Sequence, residues 1–162
     1  MTPDALFEPE LQLRVQHLLA RYADSLDAGR FEDWPAFFTE DCVYKIISAE
    51  NYERGLPLAV IDCDSRAMLE DRVRALREAN IYEAQRYRHI LSTTLIRGRG
   101  GAGVMAETPY QVTRIMQDGS SLLFSLGRYL DRIVSAGDEW RFAEKLVVFD
   151  NKRIDTLLAI PL

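Results

Sequence analysis

Apolar residues recur every three or four positions in the first part of the chain, a spacing typical of amphipathic helices. This pattern predicts a first helix from Pro9 to Ala28, with the proline suited to its first turn. A second, shorter helix is predicted from Phe31 to Phe38. A third is predicted to begin after a cap at Asp64 or Ser65 and to run to about Ile81.

The rest of the chain follows the alternating pattern of β-strands. The predicted strands cover Cys42–Ser48, Leu58–Asp62, His89–Arg97, Val104–Met116, Ser121–Val134 and Glu139–Phe149. Asn51–Pro57 is predicted to be a loop, and Asp118-Gly119 has the turn chemistry of an antiparallel hairpin. Several strands carry apolar residues on both faces, which indicates that helices or another subunit cover the second face. Helices followed by a strand meander indicate the α+β class.

Composition and charge narrow the class of protein further. The chain has 162 residues, and at roughly 150 residues per domain we expect a single domain over residues 1–162. Its formal charge of −5 argues against a nucleic-acid or anionic-membrane partner. No apolar run approaches the roughly 18 residues of a spanning helix, and the first residues lack a signal-peptide pattern. We therefore expect a cytoplasmic protein without a membrane partner.

The chain has few residues that bind metals through nitrogen or sulfur, namely two cysteines and two histidines. Cys42 and Cys63 are not followed closely by histidines, as the cysteines of a Rieske cluster are. A mononuclear iron site of two histidines and one carboxylate would use both His17 and His89, which lie far apart in the sequence. We expect no metal in this chain, and no disulfide.

A glycine-rich segment, Gly98–Gly103, matches the dinucleotide-binding pattern G-x-G-x-x-G. That function requires a helix to begin at the glycines, so that its N-terminus meets the pyrophosphate. Here the glycines are followed by a strand pattern that contains Pro109. We therefore interpret the segment as a hairpin loop and expect no bound dinucleotide.

His89 is the strongest candidate for acid–base chemistry. It could act as a general base with Tyr44 or Asp62 as its partner. The simpler interpretation is a histidine hydrogen-bonded inside the sheet or at a subunit contact, and this is the one we favour because no fixed carboxylate spacing accompanies it. The arginines Arg72, Arg86 and Arg88 could form a solvated face or meet an acidic partner.

Three segments occur in an order that resembles a known family. They are Trp34–Cys42, Met68–Arg72 and Arg86–His89. In this order they resemble the small (β) subunits of aromatic-ring-hydroxylating dioxygenases, over a range from about Leu11 to the end of the chain. Further segments, including Ala75–Glu83 and Asp155–Leu162, are most similar to the terephthalate type, and salicylate and anthranilate types are similar too.

The resemblance implies a nuclear transport factor 2-like (cystatin-like) cone, with about three helices packed on a curved antiparallel sheet. It also implies a larger α subunit that carries a Rieske 2Fe-2S cluster and mononuclear iron, with electrons from NADH through a reductase. The small subunit would form the trimeric base of an α3β3 complex acting on a carboxylated aromatic ring. No catalytic residue is carried over, so Trp34, Arg72, Arg88 and His89 are expected to have packing or interface roles.

Two other classes of function remain open from the residues alone. One is a free-standing lyase or isomerase with the cone fold, using His89 with Tyr44 or Asp62 on a small hydrophobic ring. In that case Trp34, Phe38 and Met68 would surround the substrate. The other is a binding module that holds a ligand in the cone without converting it.

Overall fold

Three α-helices, one 3-10 helix and seven strands make up the computed structural model, which describes residues 7–79, 84–151, 158 and 160–162. The helices are α1 (Pro9–Asp27), the 3-10 helix (Phe31–Phe37), α2 (Ala49–Glu53) and α3 (Arg66–Glu78). The strands are β1 (Phe38–Ser48), β2 (Ala59–Cys63), β3 (Gln85–Leu91), β4 (Leu95–Gly100), β5 (Gly103–Met116), β6 (Ser121–Ala136) and β7 (Glu139–Phe149).

The helix predictions are confirmed at α1, the 3-10 helix and α3. The apolar residues whose spacing predicts α1 are all buried in the structure, namely Leu11, Val15, Leu18, Leu19, Tyr22 and Leu26. Ser65 caps α3 by accepting a hydrogen bond from the Met68 N–H at 3.4 Å. The predicted end of this helix at Ile81 lies outside the described residues. The predicted loop at 51–57 is partly wrong, because its first residues belong to α2. Ser48 caps this helix by accepting a hydrogen bond from the Asn51 N–H.

The strands form one sheet in the order β2-β1-β7-β6-β5-β3, with β4 also paired to β5. All pairs are antiparallel except β1 with β7, which is parallel. The prediction of an antiparallel sheet is therefore wrong for this one pair, and the sheet is mixed. Parallel neighbours need a long connection between them, and here the chain from α2 to β6 supplies it.

The single strand predicted from His89 to Arg97 is divided into β3 and β4. Opposite the division lies Pro109 in β5, whose carbonyl accepts a hydrogen bond from the Ser92 N–H at 2.9 Å. Proline has no N–H to return to the ladder, so regular pairing is interrupted there. The hydroxyls of Thr94 and Thr108 form a hydrogen bond with each other at 2.8 Å, so both buried hydroxyls have a partner at the division.

The glycine-rich segment Gly98–Gly103 forms the hairpin between β4 and β5, as predicted, and no helix begins there. Gly103 has a φ of 114°, a conformation that side chains rarely adopt. A Cβ atom at this position would lie 2.5 Å from the Ile133 carbonyl oxygen. Gly103 therefore allows the hairpin to approach β6 closely.

The core lies between the helices and the inner face of the sheet. Tyr22 of α1 sits at its centre and makes edge-to-face contacts with four aromatic rings, those of Phe37, Phe38, Tyr129 and Phe142. Such pairs stabilise a core beyond the area they bury. Aromatic packing therefore joins α1, the 3-10 helix and the sheet.

A buried ion pair lies inside this aromatic core. Lys145 of β7 and Asp131 of β6 are paired across the two strands, with Nζ 3.1 Å from Oδ2, and both side chains are fully buried. The ammonium also lies over the ring of Tyr129, 3.7 Å from its centroid, and over that of Phe142 at 4.3 Å. The carboxylate and the rings together replace the water that the charge has lost.

Removing one member of this pair should leave an uncompensated charge in the core. We expect Lys145→Met to lower the free energy of unfolding by about 3–5 kcal/mol, and Lys145→Met with Asp131→Leu to recover most of that loss. Urea unfolding measures both. Lys45→Met is the matched control, because its pair with Asp62 is partly exposed and should be worth less than about 1 kcal/mol. A Lys145→Met loss as small as that of the control would contradict a charged pair in the core.

The same pair should shape the dependence of stability on pH. Burial raises the pKa of Asp131 from 3.8 to about 6, so the folded chain binds more protons and stability falls as pH rises through that window. Burial lowers the pKa of Lys145 from 10.5 to about 8, so stability rises from pH 8 upward. The free energy of unfolding of the double variant minus that of the wild type should be largest between pH 6 and 8. A difference independent of pH would argue against a charged buried pair.

Candidate functional site

The interior of the cone is occupied by the chain itself. Leu162 is fully buried there, together with the nearby Leu158 and Ile160. The Tyr22 hydroxyl donates to the Leu162 carbonyl oxygen at 2.6 Å, and the Tyr44 hydroxyl donates to the same oxygen at 3.1 Å. The Leu162 N–H donates in turn to the Tyr44 oxygen at 3.2 Å. The backbone polar groups of Leu162 are thus satisfied inside the core.

The two tyrosines are positioned by the elements that carry them. Tyr22 lies on the buried face of α1, and Tyr44 lies on the inward side of β1. Burial raises the pKa values of both hydroxyls, so both stay protonated and able to donate at neutral pH. The Trp34 indole N–H completes the arrangement by donating to the Tyr22 oxygen at 3.4 Å. These hydroxyls already have partners within the chain.

His89 is bound to a carboxylate that the sequence did not single out, that of Asp27. Its Nδ1 lies 2.6 Å from Asp27 Oδ1, and its backbone N–H donates to Asp27 Oδ2 at 3.0 Å. The side chain of His89 is fully buried, and 8% of that of Asp27 is exposed. Asp27 is the last residue of α1, where a negative charge opposes the helix dipole and needs a partner. The position of Asp27 at the end of the predicted helix is the sequence signal that could have identified it as the partner of His89.

The partners proposed for His89 are therefore wrong. Tyr44 bonds to Leu162, and Asp62 lies on an outer position of β2, where its carboxylate is 3.5 Å from the Lys45 ammonium. Phe38 and Trp34 pack against each other in the core, whereas Met68 is 39% exposed. The structure does not bring these residues together around a substrate.

The His89–Asp27 pair nevertheless has the form of an oriented imidazole. In the neutral tautomer whose Nδ1–H donates to the carboxylate, Nε2 is the acceptor. His89 Nε2 is buried and has no hydrogen-bond partner among the described residues. A groove of about 430 Å³ runs beside the pair and is lined by Asp27, Phe31 and Tyr87, but not by His89. A general base must reach the proton it removes, and here the nitrogen faces the packed interior.

The remaining predicted site residues lie in three different environments. Trp34 is fully buried and makes edge-to-face contacts with Phe38 and Tyr44. Arg72 of α3 is half-buried, close enough to Tyr44 that its charge opposes the rise in the pKa of that hydroxyl. The Arg88 side chain is 65% exposed, with its guanidinium 3.8 Å from the Asp27 carboxylate.

The described residues offer neither a metal site nor a membrane span. In the part of the chain that the structure describes, no three His, Cys, Asp or Glu residues are grouped as metal ligands are. Cys42 and Cys63 are buried free thiols, and burial raises the pKa of Cys42 to about 11. None of the described helices is long and apolar enough to cross a membrane.

Comparison with known proteins identifies the family. Residues 8–145 match the SnoaL-like domain. The chain is 40% identical over 151 residues to the terephthalate 1,2-dioxygenase terminal oxygenase component subunit beta 1 of a Comamonas species, covering 93% of this chain and 98% of that protein. It is 41% identical over 148 residues to the anthranilate 1,2-dioxygenase small subunit of Burkholderia cepacia, covering 91% and 92%.

A solved structure from Novosphingobium aromaticivorans, described as the beta subunit of an aromatic-ring-hydroxylating dioxygenase, has the same fold. It superimposes with a TM-score of 0.86 at 39% identity, over 94% of this chain and 97% of that one. The resemblance read from the sequence is thereby confirmed. With this fold and these relatives, the chain belongs to the SnoaL-like family and, within it, to the beta (small) subunits of aromatic-ring-hydroxylating dioxygenases.

Proposed function

We propose that this chain is the non-catalytic structural subunit of a multicomponent dioxygenase, and that the reaction takes place on a larger α subunit. The observation that carries this proposal is the filled interior of the cone. Leu162 occupies the position on which Tyr22 and Tyr44 converge, so the hydroxyls that could orient a substrate are engaged by the chain. The relatives, named as subunits of oxygenases, support the same role.

The cofactors of the reaction belong, in this proposal, to the α subunit. That subunit would hold a Rieske 2Fe-2S cluster and a mononuclear iron, and a reductase would supply electrons from NADH. This chain has two cysteines and two histidines, and both cysteines are buried free thiols. A Rieske cluster would need two residues of each kind at one place.

The substrate we propose is a carboxylated aromatic ring of the terephthalate or salicylate type, which the complex would dihydroxylate. Support comes from the relatives named for terephthalate and anthranilate, since both of those compounds are aromatic carboxylates. The residues that select the ring would lie on the α subunit.

The assembly we propose is α3β3, in which three copies of this chain form the base. Exposed apolar side chains on the sheet support self-association, because a monomer seldom leaves such patches open to water. Within this assembly we assign packing roles to Trp34 and His89, which are buried, and an interface role to Arg88, which is exposed. Arg72, half-buried on α3, would connect the helix to the core.

Acid–base chemistry by His89 is the second candidate function, and one observation favours it. The imidazole is oriented by Asp27 and its Nε2 has no partner among the described residues. The two functions make opposite predictions for a variant at this position.

We expect His89→Asn to leave the turnover of the assembled dioxygenase within about twofold of wild type, since the residue packs and does not react. The asparagine amide can still donate to Asp27, so we expect a loss of stability of about 1–3 kcal/mol. Turnover per iron, measured below the unfolding temperature, checks the first expectation, and urea unfolding checks the second. His17→Asn, on α1, is the matched control.

A general base contributes about 10²–10⁴-fold to a rate. A drop of that size for His89→Asn, in a complex that remains assembled and folded, would contradict the structural role and support the second candidate.

A further inference from the structure

The groove beside Asp27 lies between the end of α1, the start of the 3-10 helix and the start of β3. Its volume of about 430 Å³ falls within the range of roughly 300–1,000 Å³ that small-molecule sites occupy. Four buried apolar or aromatic side chains line it, namely Leu26, Phe31, Tyr87 and Ile160. Two of them are aromatic, and aromatic rings pack favourably against the ring of a ligand.

The carboxylate on the wall of the groove is already engaged. Among the described residues that line the groove, Asp27 carries the one carboxylate. His89 holds it through Nδ1 at 2.6 Å, and the Arg88 guanidinium lies 3.8 Å from it. The described wall therefore offers no free carboxylate to a cationic ligand.

Two arginines line the groove, and they differ in their partners. Arg77 is bound by Glu32, with Nε 2.7 Å from Oε1, and its guanidinium lies over the ring of Phe31, 4.8 Å from the centroid. Arg86 is exposed and forms no ion pair with any residue in the described ranges. A guanidinium can bind a carboxylate through two parallel hydrogen bonds. Arg86 therefore favours a ligand that carries a carboxylate.

Another polar group on the wall lacks a partner. The side-chain amide oxygen of Gln85 is buried and accepts no hydrogen bond within the described part of the chain. Buried acceptors in proteins are normally satisfied by a donor. An amino or hydroxyl group on the ligand would supply that donor.

We propose that this groove binds an aromatic carboxylate that carries an amino or hydroxyl group on its ring. The ring lies against Phe31 and Tyr87. The carboxylate pairs with Arg86, and the ring substituent donates a hydrogen bond to Gln85. The inference goes beyond the structural role proposed above, because it gives the chain a ligand of its own, held in a surface groove and not inside the cone.

Calorimetric titration of the full chain, purified without other subunits, with 2-aminobenzoate tests this site. We expect saturable binding of one molecule per chain with a Kd of about 1 mM or below. Benzoate should bind less tightly, because it has no donor for the Gln85 oxygen. Methyl 2-aminobenzoate keeps the ring and the amino group but has no charge, so it should bind about tenfold more weakly or worse.

Variants on the wall of the groove locate the binding site. Arg86→Gln should weaken the binding of 2-aminobenzoate by about tenfold or more and leave that of the methyl ester unchanged. Gln85→Leu should remove the preference for 2-aminobenzoate over benzoate. Ala28→Trp places a large side chain on the wall and should abolish binding. Arg74→Gln, whose guanidinium is paired with Asp71 on the exposed face of α3, is the matched control and should bind like wild type.

A chain that binds no 2-aminobenzoate at concentrations up to about 10 mM would overturn the proposed site. Binding that is unchanged in Arg86→Gln and Ala28→Trp, or equal for the acid and its methyl ester, would overturn it as well. Circular dichroism of each variant separates a loss of binding from a loss of fold. Turnover of the assembled dioxygenase is a separate readout, since the structural role requires no ligand in this groove. If the complex is active while this chain binds none of these compounds, the site is wrong and the proposed function stands.

Discussion

The hydroxyls of Tyr22 and Tyr44 converge on one carbonyl oxygen, that of Leu162, in the middle of the cone. A buried carbonyl without donors would cost about 1–3 kcal/mol, so these two hydrogen bonds allow the last described residues to enter the core. Once there, Leu162 fills the space between α1 and β1 on which the inward side chains converge. Tyr22 also contributes to the core around the buried ion pair, because the Lys145 ammonium lies over the rings of Tyr22, Tyr129 and Phe142. The interior of the cone is therefore a packed core. We expect the chain to function through contacts on its surface.

Much of the fold follows from local patterns. The spacing of apolar residues in α1, the Ser65 cap of α3 and the turn chemistry of the β4–β5 hairpin are all visible in the sequence and are all found. Non-local features are not visible. The break between β3 and β4 depends on Pro109, which is distant in sequence but opposite in the sheet. The parallel pairing of β1 with β7 joins residues that are more than a hundred positions apart, such as Val43 and Glu144, so no local pattern encodes it.

The candidate site was predicted less well, for the same physical reason. His89 was identified, but its partner Asp27 lies at the end of a helix and 62 residues away, and the sequence offered Tyr44 and Asp62 instead. The buried Lys145–Asp131 pair shows only as charged residues in strand patterns until the register places them side by side. Hydrogen-bond partners across a fold depend on register and packing. The family resemblance, which rests on several segments in order, predicted the cone and the dioxygenase-subunit assignment without needing those partners.

The proposed function assigns structural support to this chain and the dioxygenase chemistry to a larger α subunit. The most direct test is to titrate the isolated larger oxygenase subunit, with its reductase and NADH, with this chain and to measure dihydroxylation of an aromatic carboxylate. We expect no turnover by this chain alone, and a rate that rises with added chain and saturates at one copy per larger subunit. Conversion of a small aromatic or hydrophobic ring by this chain alone, or a rate that does not depend on its addition, would contradict this division of roles.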